Sequence, residues 1–543
     1  MHSQNKVQTI DKYMGSMLGA MIGDALGWVY EDRGMNTNKK DFIQKNFISW
    51  NRKSGGRYQP HQEEISAGSY SDDTQLIFAT ARSLGYKNWF SHFVKVELPA
   101  WLVYERGGGG ATKRAADTWS SGNPPWKVDK QNLDDVKRYF EAGGNGVTMR
   151  IMPHVFFCRG RIEELTNQVF LNGIATHGHP RALLSAIVYA WALHYLVEKE
   201  SSLDYGELIA YLIENKMRWS QFPKVNNIKE WQDTAFNITN GQYMKTWEET
   251  ANEIVVGLEL SQKAIKRGLL DSKMDTLTKL NCFDKKTRGA GTVATLVAIY
   301  MASKYAADPS AAIMDLASMD NADTDTNASM AGALLGAIHG TEWIQPEWFL
   351  VQDYSYARTL VNNMGKTIYE DVNERLWHWS DNKKFKEKIA NLKNEKEEFS
   401  FGPFSSLKLI EKINNKSSTN KIDVNTYKFS SVEGQTFYVK VIKKIDVNHE
   451  LIVDKPFVNV KQNAEEIFIN LNGKDFEYLS KILPPRVTVS TVFNIFSEIL
   501  KEKSVSSDVT SSDLNLMVTK YVSKSLGEKS VQDLVAFIKS KMK

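Results

Sequence analysis

The sequence has little cysteine and little net charge. Its 543 residues include only two cysteines, Cys158 and Cys282, which are far apart and have no histidine cluster beside them. This pattern predicts neither a disulfide framework nor a thiolate zinc site, and a reducing, cytoplasmic location is expected. The formal net charge of +4 is small for this length, so composition alone indicates neither nucleic acid nor an acidic membrane surface as a partner.

Long apolar runs are also missing. We find no stretch of about twenty residues that is free of charge or strong polarity, which is the pattern of a membrane-spanning helix. The opening residues, MHSQNKVQTIDKY, lack the unbroken apolar segment of a secretion signal. A soluble protein without a membrane partner is therefore expected.

Alternating, strand-like runs are scarce between residue 12 and about residue 385. Helical periodicity dominates there instead, for example in LLSAIVYAWALHYLVEK and GTVATLVAIYMASKYAA. Residues 1–385 are therefore predicted to form an all-α domain. Its first helix carries a glycine at every fourth position, which predicts close packing against another helix, and a matching pair stands near residue 334: Gly15, Gly19, Gly23, Gly27, Gly332 and Gly336.

The pattern changes near residue 400. The segment KFKEKIANLKNEKEEF predicts a charged linker helix over residues 386–400, and TYKFSSVEGQTFYVKVI predicts two strands around a turn. With its amphipathic closing segments, the part from 401 to 543 is expected to be a smaller α+β domain of unknown role. It carries 21 Lys and Arg against 16 Asp and Glu. No stripe of Arg and aromatic residues accompanies this excess, so a solvated surface is favoured and nucleic-acid binding by this domain stays an alternative.

Two acidic motifs precede apolar helices. YSDDTQLIFATARSL contains Ser71, Asp72 and Asp73, and NADTDTNASMAGALLGA contains Asp323, Asp325 and Thr326. One interpretation is that each motif caps its helix, although one short polar side chain suffices for that. The other is a site for Mg²⁺ or Mn²⁺, since hard divalent cations prefer carboxylate and hydroxyl oxygens. Aspartates brought together from two motifs would repel each other without cations between them.

These motifs resemble those of the ADP-ribosylglycohydrolase family, and the resemblance covers most of residues 12–345. Six segments occur in the family's order: GAMIGDALGWVYE, YSDDTQ, RGGGGATKRA, GGNGVTMRIMP, THGHPRA and NADTDTNASMAGALLGAIHG. The resemblance implies a helical fold that holds two Mg²⁺ or Mn²⁺ ions and hydrolyses the glycosidic bond between ADP-ribose and an acceptor, which is an ADP-ribosylated macromolecule or a small ADP-ribosyl compound. It also implies the metal ligands Ser71, Asp72, Asp73, Asp323, Asp325 and Thr326.

The resemblance further implies roles for residues between these motifs. Glu31 matches an acidic position of the family site, and with Asp325 it is the candidate for catalysis. Glycine-rich loops let backbone amides converge on an anion, and family members use the GNG loop for the ADP-ribose diphosphate. The candidate substrate-binding residues are Gly110, Gly144, Asn145, Gly146 and His177.

Two positions depart from the family pattern. Ser71 replaces a threonine but keeps the hydroxyl, whereas Gly107 stands where members acting on arginine-linked ADP-ribose have an aspartate. The departure at Gly107 leaves the acceptor open and assigns acid–base work to Glu31 or to a metal-bound water. Two other functions stay open at this point: a non-catalytic binding or structural relative, and a two-metal phosphoester hydrolase.

Overall fold

We analysed a computed structural model of the chain, which describes a subset of its residues: 2–31, 46–55, 59–130, 132–366, 376–392, 398–415, 422–444, 473–483, 518 and 528–541. The chain divides into two units, Met1–Asp446 and Val447–Lys543. This division differs from the boundary expected near residue 400, because the strands that follow residue 398 belong to the same unit as the helices.

Helices form most of the first unit, in agreement with the periodicity of the sequence. They are α1 (His2–Glu31), α2 (Asp72–Ser83), α3 (Trp89–His92), α4 (Leu98–Tyr104), α5 (Gly110–Ser120), α6 (Leu133–Phe140), α7 (Met152–Phe157), α8 (Ile162–Ile174), α9 (Pro180–Glu198), α10 (Glu207–Glu214), α11 (Lys216–Trp219), α12 (Lys229–Ile238), α13 (Tyr243–Arg267), α14 (Lys273–Lys279), α15 (Gly291–Lys304), α16 (Pro309–Ala317), α17 (Thr324–His339), α18 (Tyr354–Asn363) and α19 (Trp379–Ala390).

Helix α9 lies inside this helical body. It is long and apolar enough to cross a membrane by length and composition, but most of its side chains are buried, including Leu183, Ile187 and Trp191. It packs against α8, α13, α15 and α17. Its apolar character is therefore that of a core helix, which is hydrophobic on all sides because other helices surround it.

The glycine faces of α1 and α17 meet, as their spacing predicts. A Cβ atom on Gly19 would overlap the carbonyl group of Gly332, and one on Gly15 would overlap that of Gly340. At the other end of the contact, Gly27 lies against Thr324. The two helices therefore run antiparallel with their backbones in contact, and the end of α1 lies beside the start of α17.

A two-stranded hairpin interrupts the domain that was predicted to be all-α. Its strands β1 (Trp50–Ser54) and β2 (His61–Ile65) pair antiparallel, with Trp50 opposite Ile65. In β2 the residues alternate between buried and exposed, but two of the buried residues are His61 and Glu63. A hydrophobic pattern cannot reveal a strand whose inward side chains are polar, so the sequence gives no signal for this hairpin.

An antiparallel sheet of four strands completes the first unit. Its order is β3 (Phe399–Phe401), β4 (Phe404–Asn415), β5 (Ile422–Ser431) and β6 (Thr436–Lys444), so the two strands predicted around Gly434 are confirmed. Phe401, Phe404 and Phe437 surround the ring of Tyr104 at the end of α4, with centroid distances of 6.4, 6.2 and 5.2 Å. The sheet therefore shares an aromatic core with the helices.

The predicted linker helix and tail are described only in part. Helix α19 ends at Ala390, and residues 393–397 lie outside the described residues, as do the predicted amphipathic segment at 492–502 and most of the one at 513–526. Within the second unit, the helices Gly473–Ile482 and Glu528–Lys541 contact each other, and the rings of Tyr478 and Phe537 stack at 5.8 Å. The role of this unit stays open.

We expect Gly19→Ala to destabilise the protein, because the added methyl group would overlap the backbone of α17. Overpacking of this kind costs about 1–3 kcal/mol or more, which urea denaturation would show as a lower midpoint. Gly109→Ala is the matched control, since a Cβ there meets nothing within 4 Å among the described residues. Equal midpoints for the two variants would contradict the close packing of α1 and α17.

Candidate active site

Seven segments of the chain line one cavity of about 270 Å³. They are the end of α1, the starts of α2 and α17, the glycine-rich segments 107–112 and 144–149, and the single residues His177 and Gly289. Among the described residues, the cavity lining includes every site residue predicted from the sequence except Ser71: Glu31, Asp72, Asp73, Gly110, Gly144, Asn145, Gly146, His177, Asp323, Asp325 and Thr326. The structure thus brings together segments that are about 250 residues apart along the chain.

Ser71 and Asp24 fix the start of α2. The hydroxyl of Ser71 accepts a hydrogen bond from the amide of Asp73 at 3.3 Å, so Ser71 is the N-cap. The carboxylate of Asp24, buried in α1, accepts hydrogen bonds from the amides of Ser71 and Thr74 at 2.9 and 3.0 Å. Because these contacts satisfy the helix start, Asp72 and Asp73 are not needed as caps. A metal-ligand role for Ser71 stays a prediction.

Asp24 was not predicted from the sequence as a site residue. Its side chain is fully buried and also accepts a hydrogen bond from the hydroxyl of Thr74 at 2.6 Å. The available signal was a single aspartate inside the apolar, glycine-spaced segment GAMIGDALG. A buried carboxylate in such a helix needs partners, and here the partners are the start of the first acidic motif.

The second acidic motif is held by contacts to α1 and to the GNG loop. The hydroxyl of Thr324 donates to the carbonyl of Gly27 at 2.8 Å, and the side-chain amide of Asn145 donates to Asp323 at 2.9 Å. Asp323 occupies the N-cap position of α17, yet its side chain makes no capping hydrogen bond in the part of the chain described. The hydroxyl of Thr326 reaches Asp73 at 3.4 Å and so joins the two motifs.

The carboxylates of this cavity are mutually repulsive. Burial and the neighbouring carboxylates raise the pKa of Asp72, Asp73 and Asp325 well above its usual range. Desolvation, followed by repulsion from Asp323, raises the pKa of Glu31 to about 7. Such shifts show that the protein supplies too little positive charge for these groups to be ionised together.

The same cluster has the donor set of a cation site. One carboxylate oxygen of Asp73 is buried and has no hydrogen-bond partner among the described residues. Ligand atoms of Glu31, Asp323 and Asp325 all lie within 4.8 Å of one another. An unpartnered buried oxygen beside clustered carboxylates fits a hard divalent cation, so the residues present are suited to Mg²⁺ or Mn²⁺. The structure thereby adds Glu31 to the acidic cluster.

Polar but uncharged groups line the opposite side of the cavity. His177 is buried, and its Nδ1 lies 2.7 Å from the hydroxyl of Thr176. Burial, together with Arg150 and Arg114, lowers the pKa of His177 to about 3, so its imidazole is neutral. It lies beside Gly146 of the GNG loop. Helix α5 begins at Gly110, so its first amides also face the cavity.

A basic cleft of about 480 Å³ adjoins this cavity and was not predicted from the sequence. The two share Glu31, Gly144, Gly289 and Asp323. The cations of the cleft are Arg181, which pairs with Glu253, and Lys285, Lys286 and Arg288, and they outnumber its three carboxylates, Glu31, Glu141 and Asp323. The amide of Asn145 donates to the carbonyl of Gly289 at 3.0 Å, which ties the GNG loop to this basic segment. The signal available in the sequence was KKTRGAG immediately before the apolar helix α15.

Gly107 lies near the first acidic motif, with little space for a side chain. Its φ of +102° lies in the region that favours glycine, and a Cβ atom there would stand 3.0 Å from Oδ1 of Asp72. An aspartate at position 107 would therefore be strained and would bring another negative charge to Asp72. The departure from the family pattern at this position follows from the local backbone.

The chain is similar to known proteins of one family. The family model described as ADP-ribosylglycohydrolase matches residues 5–382. ADP-ribosylhydrolase ARH3 of Xenopus tropicalis is 22% identical over 371 residues, which cover 63% of this chain and 91% of that protein. ADP-ribosyl-[dinitrogen reductase] glycohydrolase of Rhodospirillum rubrum is 24% identical, covering 34% of this chain and 58% of that protein.

Two further similarities are more limited. ADP-ribosylarginine hydrolase Tri1 of Serratia proteamaculans is 25% identical, covering 36% of this chain and 50% of that protein. A solved structure titled "ADP-ribosylglycohydrolase-related protein complex" aligns with a TM-score of 0.43 and 17% identity, covering 67% of this chain and 99% of that one.

We expect the Asp73→Asn variant to be at least as stable as the parent without metal, but less stable than the parent when metal is added. In EDTA at pH 8 the variant should be at least as stable as the parent, because it lacks a buried charge that repels Asp72 and Asp323. With millimolar Mg²⁺ or Mn²⁺ the parent should be the more stable, because binding to the folded state stabilises it. Thermal melting measures both. The exposed Asp117→Asn is the control, and an equal metal-induced shift in parent and Asp73→Asn would contradict the metal assignment.

Proposed function

The chain belongs to the ADP-ribosylglycohydrolase family, and from that premise we propose that it is a metal-dependent hydrolase that cleaves the glycosidic bond between ADP-ribose and an acceptor. The observation that carries this proposal is the carboxylate oxygen of Asp73 that has no hydrogen-bond partner among the described residues and belongs to an acidic cluster in the cavity that His177 and the GNG loop also line. The proposed cofactor is a pair of Mg²⁺ or Mn²⁺ ions. A cytoplasmic location stays a prediction from the sequence.

Asp72, Asp73, Asp323, Asp325 and Thr326 are the residues that would hold the cations. Bound Mg²⁺ or Mn²⁺ supplies Lewis-acid chemistry and affinity for ribose hydroxyl oxygens. The GNG loop positions one of these residues, because the side chain of Asn145 donates to Asp323. Asn145, predicted from the family resemblance to bind substrate, thus has a direct contact to the acidic cluster.

His177 is suited to donate a hydrogen bond to the substrate without carrying charge. The hydroxyl of Thr176 accepts from Arg150 at 2.8 Å and lies 2.7 Å from Nδ1 of His177. We propose that the hydroxyl donates to Nδ1, in which case the imidazole carries its proton on Nε2. We assign this proton to a ribose oxygen of ADP-ribose in the cavity.

Glu31 is the proposed acid–base residue. Cleavage proceeds through an oxocarbenium-like state: the bond from ribose C1 to the acceptor breaks as a bond from C1 to a water oxygen forms. Glu31 accepts the proton that the water loses, and that proton is then available to the departing acceptor. Glu31 is suited to both steps by its position, because its carboxylate lies in the cavity beside Asp323 and Asp325.

We expect Glu31→Gln to lose at least about a hundredfold in single-turnover rate at saturating Mn²⁺, since general acid–base assistance contributes about 10²- to 10⁴-fold. Binding of ADP-ribose should persist, because the amide keeps the shape of the side chain. The exposed Glu64→Gln of strand β2 is the matched control. A rate within a few fold of the parent would exclude Glu31 as the base.

A comparison of three classes of substrate with the parent protein tests the proposed function. The substrates should include an ADP-ribosylated protein, a small ADP-ribosyl compound and a phosphoester, each with Mg²⁺ and with EDTA. We expect metal-dependent release of ADP-ribose from at least one of the first two. Hydrolysis of the phosphoester alone, or binding without turnover, would favour the alternatives.

The basic cleft is the proposed place for the diphosphate. Lys285 and Lys286 are exposed there and adjoin the GNG loop through Gly144 and Gly289. We expect the double variant Lys285→Met/Lys286→Met to raise KM by about three- to tenfold with little change in kcat, because it removes exposed charges that bind substrate alike in the ground and transition states. The increase should shrink at high salt. Lys279→Met, also exposed, is the control, and an unchanged KM would place the diphosphate elsewhere.

A further inference from the structure

The C-terminal sheet takes part in a buried ionic network with the hairpin and the glycine-rich loop, defined as residues 106–110. Nζ of Lys440 in β6 lies 2.8 Å from Oε2 of Glu63 in β2. On the other side of that carboxylate, Nε and Nη2 of Arg106 lie 3.1 and 3.0 Å from Oε1. The side chains of Glu63 and Arg106 are only 2% and 4% exposed. One carboxylate thus joins a sheet residue to the first residue of the loop.

Aromatic rings enclose the guanidinium group of Arg106. The ring centroid of Tyr438, two residues before Lys440 in β6, lies 3.9 Å away, and that of Trp28 in α1 lies 5.6 Å away. Stacking on aromatic faces is favourable for a guanidinium group, which is planar and weakly hydrated. The ring of Tyr438 therefore contacts Arg106 directly, whereas Lys440 of the same strand is linked to Arg106 only through the carboxylate of Glu63 that both cations share.

Arg106 leads directly into the cavity. Its amide donates to Oε1 of Gln75 in α2 at 3.3 Å, and the next residue, Gly107, lies so near Asp72 that an added Cβ would stand 3.0 Å from Oδ1. Gly107, Gly109 and Gly110 then line the cavity wall together with Asp72. Contacts thus connect Lys440 through Glu63 to Arg106, and the chain continues from Arg106 into the cavity wall beside Asp72.

We infer that Tyr438 and Lys440 are positioning residues, which fix the glycine-rich loop against the acidic cluster through Arg106. They lie outside the segment 5–382 that matches the family model, so residues of the later sheet would position a loop that lines the cavity without lining the cavity themselves. The effect on substrate binding rests on the proposed function, whereas the effect on the loop does not.

The proposed positioning role rests on the free-energy cost of burying the carboxylate of Glu63 when one of its oxygens has no cation beside it. Burial by itself would raise the pKa of Glu63, but the charges of Arg106 and Lys440 outweigh it and lower that pKa to about 2. Without Lys440, one carboxylate oxygen would lose its cation, and the Glu63–Arg106 pair would be drawn toward water. Because the loop after Arg106 contains four glycines, its backbone has little rigidity of its own to resist that shift.

The test is hydrogen exchange of the full chain at the amides of residues 107–112. We expect Lys440→Met to increase their exchange about tenfold, consistent with the loss of a charge-assisted hydrogen bond. Lys408→Met, at an exposed position of the neighbouring strand β4, should change nothing. Lys440→Arg should restore the slow exchange, which a general destabilisation of the sheet would not predict.

A second pair of variants tests the ring. Tyr438→Leu removes the aromatic face over Arg106 and should also accelerate exchange at 107–112, whereas Tyr438→Phe keeps the face and should not. If Lys440→Met fails to fold, the comparison of Tyr438→Leu with Tyr438→Phe still tests the positioning role. The positioning role would be overturned if the loop amides exchanged no faster in Lys440→Met and Tyr438→Leu than in Lys408→Met.

Calorimetry with ADP-ribose separates this inference from the proposed function. We expect the dissociation constant to rise about three- to tenfold in Lys440→Met, and KM of the hydrolysed substrate to rise with it while kcat stays within about twofold. If the parent protein binds no ADP-ribose and hydrolyses none of the substrates, the proposed function fails. The exchange data then decide the positioning role alone.

Discussion

The backbone contact between α1 and α17 is the constraint on which the candidate site depends. Glycines at successive turns of both helices leave no room for side chains between them, and in the observed register Gly19 lies against Gly332 and Gly27 against Thr324. That register sets the end of α1, with Glu31, beside the start of α17, with Asp323 and Asp325. Asp24, on the same helix as Glu31, accepts hydrogen bonds from the amides at the start of α2. One contact therefore places both acidic motifs.

The acidic cluster itself opposes folding. Carboxylates that are buried together raise one another's pKa, and one oxygen of Asp73 gains no hydrogen bond among the described residues in return. Other side chains cap and anchor the helices around the cluster, so folding does not depend on the clustered aspartates for these contacts. Ser71 and Asp24 cap α2, and Thr324 binds α17 to Gly27. The aspartates are thereby left for ligands, as expected of a site that keeps strain for function.

Local patterns made much of this predictable. Helical periodicity, glycines at every fourth position and polar residues before apolar helices are readable from short windows, and the structure confirms the helices and the contact they predict. The hairpin was missed because β2 buries His61 and Glu63. Lys440 was missed because its partner Glu63 is 377 residues away, and no local window contains both. The basic cleft was missed for the same reason, since Arg181 and Lys286 are far apart in the sequence and line one cleft only in the folded chain.

The sheet shows that the extent of a family match and the extent of a folding unit can differ. The matched segment ends at residue 382, yet Phe437 packs on Tyr104, and Lys440 binds Glu63, the partner of Arg106. These contacts hold the chain on both sides of Glu105, where α4 gives way to the glycine-rich loop. A loop of glycines takes its conformation from what holds its ends. The strands after residue 398 therefore help to define the wall of a cavity whose carboxylates all come from the matched segment.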